Sequence, residues 1–193
     1  MAERQPSKLN VAGSIPVSRS THRIRPERAD DADAVRRVHD AAFDGPIEGR
    51  IVDDLRDSVW WLPWGSLVAE EGKGRIVGHL LMSRAHLETE GSAEDQAILV
   101  IGPVGVLPEV QSHGIGAALM RAAMAAATER GEALICLLGH ADYYPRFGFE
   151  PARAIGIEVP RPWPDAHWLA RRLPAWQPGL RGTVRYPLAF PME

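Results

Sequence analysis

The chain has 193 residues, of which 45% are hydrophobic and 24% are charged, so it is long enough for one domain with a substantial core. Its net charge of -3 and its isoelectric point near 6.2 exclude a broad attraction to nucleic acid or to an anionic membrane, because both need a concentrated basic surface. The single cysteine, Cys136, excludes an internal disulfide and is expected to be a buried core residue within the apolar run ALICLL.

The first twenty residues, MAERQPSKLNVAGSIPVSRS, are expected to form a flexible polar leader ahead of a single domain over residues 21–193. The leader lacks the apolar core of a secretory signal, and no window approaches the roughly twenty apolar residues of a membrane span. We therefore predict a cytoplasmic protein with no membrane or nucleic-acid partner, and the sequence leaves a homodimer open.

The first half of the chain predicts two helices and an antiparallel hairpin. THRIRPER at 21–28 alternates as a short strand does, and a helix capped by Asp30 or Asp31 follows. That helix has an apolar face made of Ala34, Val35, Val38, Ala41 and Ala42. IEGRIVDDLRD at 47–57 predicts a second helix, and SLVAEEGKGRIVGHLLMSRAHL predicts two strands joined by the turn EEGKG.

The second half predicts a strand, a helix and a parallel strand. AILVIGPVGVL at 97–107 is a strand interrupted by glycine and proline, and HGIGAALMRAAMAAATER at 113–130 is a helix that ends at Gly131. ALICLLG at 133–139 has the continuous apolar character of a buried parallel strand, and GTVRYPLAF suggests a closing strand. The order of elements predicts a mixed α/β sandwich with an antiparallel first half and one parallel crossover.

The stretch from 102 to 117 has the properties of an anion site beside a splayed strand. Glycines in QSHGIGA would let a phosphate approach the unpaired N–H groups at a helix start, and GPVG predicts a strand that leaves its neighbour. Phosphates at the helix and amides along the strand together describe coenzyme A. The alternative is that Gly114 and Gly116 only allow close contact between helix and sheet. Two other phosphate-binding motifs do not match. The Lys-Ser/Thr pair of the nucleoside-triphosphatase loop is missing after the glycines, and Leu119 stands where the dinucleotide-binding motif has its third glycine.

Two ordered motifs resemble those of the GNAT superfamily of acyl-CoA-dependent N-acetyltransferases, and more closely its YhbS-like branch. They are VGVLPEVQSHGIGAAL at 104–119 and YYPRFGF at 143–149, with weaker similarity in EGRIVDDLR, SLVAEE, IVGHLLMS and GTVRYPLAF. The similarity spans about residues 21–190. It implies a GNAT-like α/β (α+β) fold, in which a mixed, mostly antiparallel central sheet is flanked by helices and a splayed strand pair holds acetyl-CoA.

The resemblance also implies which residues bind the cofactor. The pantetheine is expected to pair with the strand at Val104, Gly105 and Val106, with a backbone N–H near Val106 facing the oxyanion. The pyrophosphate is expected on the loop and helix start, formed by Gln111, Ser112, His113, Gly114, Ile115, Gly116 and Ala117. Many members carry an asparagine where this chain has Leu137, so that cofactor contact is expected to be missing or supplied otherwise.

The same resemblance makes Tyr144 the general acid for the departing thiolate, with aromatic packing as the alternative role. Glu48 is a candidate general base at the start of the second helix, and Glu70, His79, His140 and water relays stay open. The seven histidines show no His-x-x-x-His spacing, so no metal is implied. The six tryptophans are more typical of packing than of an acceptor pocket, and these are Trp60, Trp61, Trp64, Trp163, Trp168 and Trp176.

The leading hypothesis is an N-acetyltransferase that moves an acetyl group from acetyl-CoA to a primary amine of a small molecule or a peptide. A second hypothesis is an acyl-CoA-binding regulatory module that retained the fold without turnover, which Leu137 and the unassigned base keep open. A third is a nucleotide-dependent transferase that uses the glycine loop for ATP.

Overall fold

A computed structural model describes residues 22–89, 91, 95–159 and 164–187. The leader predicted for residues 1–20, Trp163 and the end of the predicted closing strand lie outside these residues.

The described residues form one mixed sheet of nine strands. Its main path runs β1-β2-β3-β4-β5-β8-β6, while β9 pairs with both β3 and β7. The pairs β4–β5 and β7–β9 are parallel and the others are antiparallel, which confirms the predicted mixed sheet. The strands are β1 Arg23–Pro26, β2 Ser66–Glu71, β3 Arg75–Glu88, β4 Gln96–Val106, β5 Leu134–Leu138, β6 Glu150–Pro151, β7 Ile157–Glu158, β8 Trp168–Arg172 and β9 Gly182–Arg185.

Three helices cover the two faces of the sheet. Helices α1 (Ala32–Phe43) and α2 (Ile47–Arg56) bury their apolar stripes with Val68 and Leu81, whereas α3 (Ile115–Glu129) packs with Leu67 and Leu80. Successive strand residues point to opposite faces, so α1 and α2 lie on one side and α3 on the other. Within the described part of the chain, none of the helices combines the length and the hydrophobicity that crossing a membrane requires.

The predicted apolar face of α1 is partly wrong. Val35 and Val38 are fully buried as expected, but Ala41 is exposed and His39 is buried in its place. His39 lies four residues after Val35, about one helical turn, so it is on the same buried face of the helix. Ala41 lies outside that face and is exposed to solvent. Asp31 precedes the helix without capping it, because its carboxylate accepts hydrogen bonds from Arg25 and from the backbone of Arg28.

Strand β4 leaves β5 where the sequence predicts a break. The parallel pairing of β4 with β5 ends at Ile101 opposite Leu137, whereas the antiparallel pairing of β4 with β3 continues to Val106. A β-bulge interrupts the β3–β4 ladder at this point, between the pairs at Ile101 and Val104. Glycine and proline are typical of such a bulge, so GPVG marks the start of the splay as predicted.

Candidate active site

The splayed part of β4 exposes backbone groups along one edge. The N–H of Leu107 donates to the carbonyl of Val77 at 2.9 Å, which fixes the phase of hydrogen bonding between β3 and β4. Antiparallel residues alternate between facing their partner and facing away, so the backbone groups of Val104 and Val106 point away from β3. On that side β5 has already diverged. The edge can therefore pair with an extended ligand that carries amides.

The start of α3 supplies a second set of unpaired donors. Ser112 and Gly114 adopt left-handed backbone conformations, with φ values of 63° and 83°, and they turn the chain into the helix. The first bond of the helix runs from the N–H of Ala118 to the carbonyl of Gly114 at 2.9 Å. The N–H groups of Ile115, Gly116 and Ala117 precede that bond and have no carbonyl within the helix to pair with. Together with the helix dipole they form a site suited to a phosphate.

Both sets of donors surround one cavity of about 550 Å³, called the first cavity below. Eight of the ten residues predicted to bind the cofactor line it, and these are Val104, Val106, Gln111, Ser112, Gly114, Ile115, Gly116 and Ala117. The side-chain amide of Gln111 also donates to the carbonyl of Val106 at 3.0 Å, so it ties the loop to the open strand edge.

Gly105 and His113 do not line the first cavity. Gly105 faces α1, where a Cβ atom would lie only 2.9 Å from Nδ1 of His39. His113 is exposed, and its Nδ1 lies 2.7 Å from the carbonyl oxygen of Gln111, so its ring braces the loop. Two residues of the predicted strand and loop therefore lie outside the wall of the first cavity, and their contact with the cofactor stays a prediction.

Five further residues of the first cavity are absent from the sequence prediction. Ala42 and Phe43 come from the end of α1, Val110 from the turn before the loop, and Tyr143 and Arg146 from the turn after β5. The Arg146 guanidinium lies 4.6 Å from the centre of the Tyr143 ring and adds a cation to the cavity wall. The position of Arg146 inside the motif YYPRFGF was the feature of the sequence that could have indicated its place in the site.

Tyr144 lies where the first cavity meets a second one. Its side chain lines both, as do Phe43 and Val104. Burial, with a smaller contribution from Tyr143, raises the pKa of Tyr144 to about 12, so the phenol keeps its proton near neutral pH. Gly139 makes room for the ring, since a Cβ atom there would overlap it. The position and the protonation state both suit a proton donor.

The second cavity has a volume of about 520 Å³ and lies between α1, α2, the bulge of β4 and the end of β5. Glu48 is the charged side chain in its wall, and it makes no hydrogen bond or ion pair with any other described residue. His140 and Tyr186 add polar atoms, and the remaining wall is mostly aliphatic or aromatic. This cavity reaches Tyr144 and Val104 from the side opposite the helix start.

Of the four residues considered as bases, two line neither cavity. Glu70 on β2 accepts a hydrogen bond from Arg25 at 2.6 Å. His79 is fully buried between the sheet and α1. Glu48 and His140 both line the second cavity. Of the four candidates, these two could therefore contact a ligand bound in that cavity.

His79 belongs to a buried polar chain between α1 and the sheet. Its Nδ1 lies 2.7 Å from Nε2 of His39, and its Nε2 lies 2.8 Å from the hydroxyl of Ser66. The Ser66 hydroxyl in turn donates to Glu27, whose carboxylate also accepts two hydrogen bonds from Arg56. Desolvation lowers the pKa of His39 to about 2, with a smaller effect of His79, so both rings are uncharged at neutral pH.

The tryptophans of the described residues line neither of these two cavities. Trp64 lies beneath the Arg130 guanidinium, and Trp168 is buried and donates to the carbonyl of Ile157 at 2.9 Å. Leu137 is also buried, within the core on the α3 side. Among the residues in view, no three or more His, Cys, Asp or Glu side chains are grouped to hold a metal ion.

Comparisons with known proteins identify the family of this chain. The sequence model described as the acetyltransferase (GNAT) domain matches residues 23–152. The uncharacterized N-acetyltransferase YjhQ of Escherichia coli (strain K12) is 35% identical over 159 residues, which cover 80% of this chain and 86% of that protein. This chain belongs to the GNAT acetyltransferases. The resemblance read from the two motifs is thereby confirmed, and the protein is an acyl-CoA-dependent N-acetyltransferase.

Solved GNAT structures agree with the fold and with the co-substrate. A GNAT family acetyltransferase from Brucella melitensis in complex with acetyl-CoA has a TM-score of 0.70 and 32% identity, covering 88% of this chain and 98% of its own. The E. coli GNAT family N-acetyltransferase YhbS in complex with CoA has a TM-score of 0.80 and 24% identity, covering 92% and 95%. The predicted GNAT fold is confirmed, and acetyl-CoA is the co-substrate of this enzyme.

Proposed function

We propose that this GNAT enzyme acetylates a primary amine, carried by a small molecule or a peptide, which enters through the second cavity. The observation that carries the proposal is the shared boundary of the two cavities, formed by Phe43, Val104 and Tyr144. A ligand on the open edge of β4 and a ligand in the second cavity would meet at that boundary. Two reactants held side by side gain the advantage of proximity and orientation.

Acetyl-CoA fits the first cavity through its amides and its phosphates. We propose that the backbone groups of Val104 and Val106 pair with the pantetheine and that the N–H groups from Ser112 to Ala117 hold the pyrophosphate. The support is the orientation of these groups and the volume that Gly116 leaves open beside Tyr143. Arg146 supplies a cation for a phosphate oxygen.

We propose that three groups of the chain assist the transfer. The amine nitrogen bonds to the acetyl carbonyl carbon, the carbon–sulfur bond breaks, and the amine loses one proton while the thiolate gains one. The N–H of Val106 is oriented to stabilise the oxyanion, and the phenol of Tyr144 donates the proton to sulfur. Glu48 or His140 accepts the proton of the amine, directly or through water.

The test is the substitution Tyr144→Phe, which removes the proton donor and keeps the ring. We expect kcat to fall by about a hundredfold, the usual scale for general acid–base catalysis, with little change in the KM for acetyl-CoA. The matched control is Tyr143→Phe, which removes a hydroxyl from the wall of the first cavity and should act on KM for acetyl-CoA rather than on kcat. Release of CoA is followed at saturating amine.

An unchanged kcat in Tyr144→Phe would contradict the role of this residue. Binding of acetyl-CoA in a calorimeter without CoA release from any amine would favour the acyl-CoA-binding regulatory module instead. Stabilisation by ATP but not by acetyl-CoA would favour a nucleotide-dependent enzyme. We also propose a single domain over residues 21–193, supported by the family match over residues 23–152 and by the pairing of β9 with β3. We propose that it acts in the cytoplasm.

A further inference from the structure

The surface around the second cavity concentrates the exposed apolar side chains of the molecule. Among the described residues, the large hydrophobic side chains that are most exposed are Phe43 at 42%, Ile47 at 57%, Val59 at 91% and Leu138 at 46%. Phe43 and Leu138 line the second cavity, and Ile47 immediately precedes Glu48 at the start of α2. A grouping of exposed apolar residues at a cavity indicates a ligand with apolar surface of its own.

The interior of the second cavity is apolar as well. Ile51, Ile101 and Pro103 form its inner wall, and the first two are more than nine-tenths buried. A ligand that displaces water from these side chains gains about 0.8 kcal/mol for each methylene group it buries. A volume of about 520 Å³ suits a small molecule better than a folded protein partner.

The charge of the wall restricts the acceptor further. Glu48 is half-buried and has no ionic partner among the described residues, so it is available for one ammonium group. The other polar side chains in the wall are His140, Tyr144 and Tyr186, and none of the described lining residues is lysine or arginine. A polyamine would bury further ammonium groups without carboxylates to pair them, and an amino acid would bring a carboxylate without a cation.

We propose that the acceptor is a small monoamine with an apolar body and no carboxylate. This inference rests on the proposed function and names the substrate class of the same site. Glu48 binds the ammonium, and the apolar body lies against Leu138, Ile51 and Pro103. The amine then loses its proton on the way to the shared boundary at Tyr144.

The first measurement compares primary n-alkylamines from propylamine to hexylamine with acetyl-CoA saturating. Their amino groups are alike, so chain length is the variable. We expect kcat/KM to rise by about fourfold for each methylene, which is the burial free energy converted at 1.4 kcal/mol per factor of ten, until the cavity is full. Phenethylamine should exceed phenylalanine, and hexylamine should exceed spermidine, by tenfold or more in each pair.

Two variants connect this preference to the wall of the cavity. Leu138→Ala should reduce kcat/KM for hexylamine several-fold and leave propylamine nearly unaffected, with Val59→Ala as the control for an exposed apolar residue elsewhere. Glu48→Gln should raise KM for hexylamine about tenfold, the scale of one partly exposed charge-assisted bond, with Glu129→Gln on α3 as its control. A fall in kcat at unchanged KM would instead assign Glu48 to the base alone.

The outcomes separate this inference from the proposed function. Turnover that is best with spermidine, with amino acids or with peptide N-termini, or that ignores alkyl length, overturns the apolar monoamine and leaves amine acetylation standing. The absence of CoA release with every amine overturns both. Rising activity with alkyl length that Leu138→Ala flattens supports the inference.

Discussion

Gly116 shows how one residue keeps the first cavity open. A Cβ atom at this position would lie 3.4 Å from the hydroxyl of Tyr143 and 3.8 Å from a methyl carbon of Val106, which are ordinary contact distances. An alanine would therefore fit the protein itself, and a larger side chain would extend into the space proposed for the pyrophosphate. The protein itself therefore leaves room for a small side chain at Gly116, and the proposed pyrophosphate site is what would disfavour a larger one.

Gly116→Val is expected to weaken the binding of acetyl-CoA while the fold persists. We expect KM for acetyl-CoA to rise by tenfold or more, since the added methyl groups block the N–H groups at the start of α3. The midpoint of thermal unfolding in the absence of ligand should change little. Gly179→Ala is the control, because a Cβ atom there meets nothing within 4 Å. An unchanged KM for acetyl-CoA would contradict the proposed pyrophosphate site at the start of α3.

The sequence alone could identify the loop but not every residue around it. Glycines and proline act through the backbone, so their positions in the chain already indicate where a strand opens and where a helix begins. The role of His39 depends on His79 and Gly105, which are far away in sequence, and no local pattern predicts it. The face that Gly105 presents to α1 could not be read either, because alternation alone does not give the face of a strand after a bulge.

At the scale of elements, α1 and the hairpin β3–β4 are joined by the buried chain from His39 to Glu27. Gly105 lies directly opposite His79 in the ladder, and the absence of its side chain makes room for the ring of His39. Because Ser66 donates to Glu27, its oxygen accepts from Nε2–H of His79, and Nδ1 of His79 then accepts from Nε2–H of His39. Each donor in the chain points toward the carboxylate.

Gly105→Ala is expected to separate α1 from this hairpin. The new Cβ atom would lie 2.9 Å from Nδ1 of the fully buried His39, which has no free space to move into. We expect a loss of about 1–3 kcal/mol in the free energy of unfolding, measured with urea, as for other overpacked sites. Gly45→Ala is the control, because its surroundings are empty.

A double-mutant cycle tests the cause of that loss. In a His39→Ala background the additional cost of Gly105→Ala should largely disappear, because the atom it meets has been removed. Costs that simply add would mean that the strain arises elsewhere.

At the scale of the whole molecule, two uncharged buried imidazoles make stability depend on pH. Desolvation lowers the pKa of His39 to about 2 and also lowers the pKa of His79, while an unfolded histidine titrates near 6.5. Below about pH 6.5 the unfolded chain therefore binds protons that the folded chain does not. Burial alone would raise the pKa of Glu27, but the neighbouring His79, the hydrogen bond from Ser66 and the charge of Arg56 lower it overall. Its contribution is thus lost only at lower pH.

We expect the free energy of unfolding to fall as the pH drops from 6.5 to 5. The slope should approach about 1.4 kcal/mol per pH unit from His39, and His79 adds to it in the same direction. The measurement is urea unfolding at a series of pH values, and His39→Gln should clearly reduce the slope. Stability that stays constant down to pH 5 would contradict the prediction.

The sequence predicted the elements as far as β5, the closing strand β9 and the parallel pairing of β4 with β5, but it did not predict β6, β7 and β8. The second cavity was not predictable, because α1, α2, the bulge and the turn at His140 come together from four separate parts of the chain. Glu48 and Leu138 are ninety residues apart in sequence and carry no common motif. Their shared surroundings are a product of topology.

The bulge in β4 decides which face of the sheet each later residue of the strand points to. Leu99 and Ile101 lie on the α3 side, and after the extra residue the even-numbered Val104 and Val106 take over that side. Without the insertion, odd-numbered residues would stay on the α3 side, and Gly105 would face that side instead of His39. One residue of chain length therefore decides which side chains of the strand line the first cavity, and we expect a deletion at 102–103 to change its wall more than any substitution there.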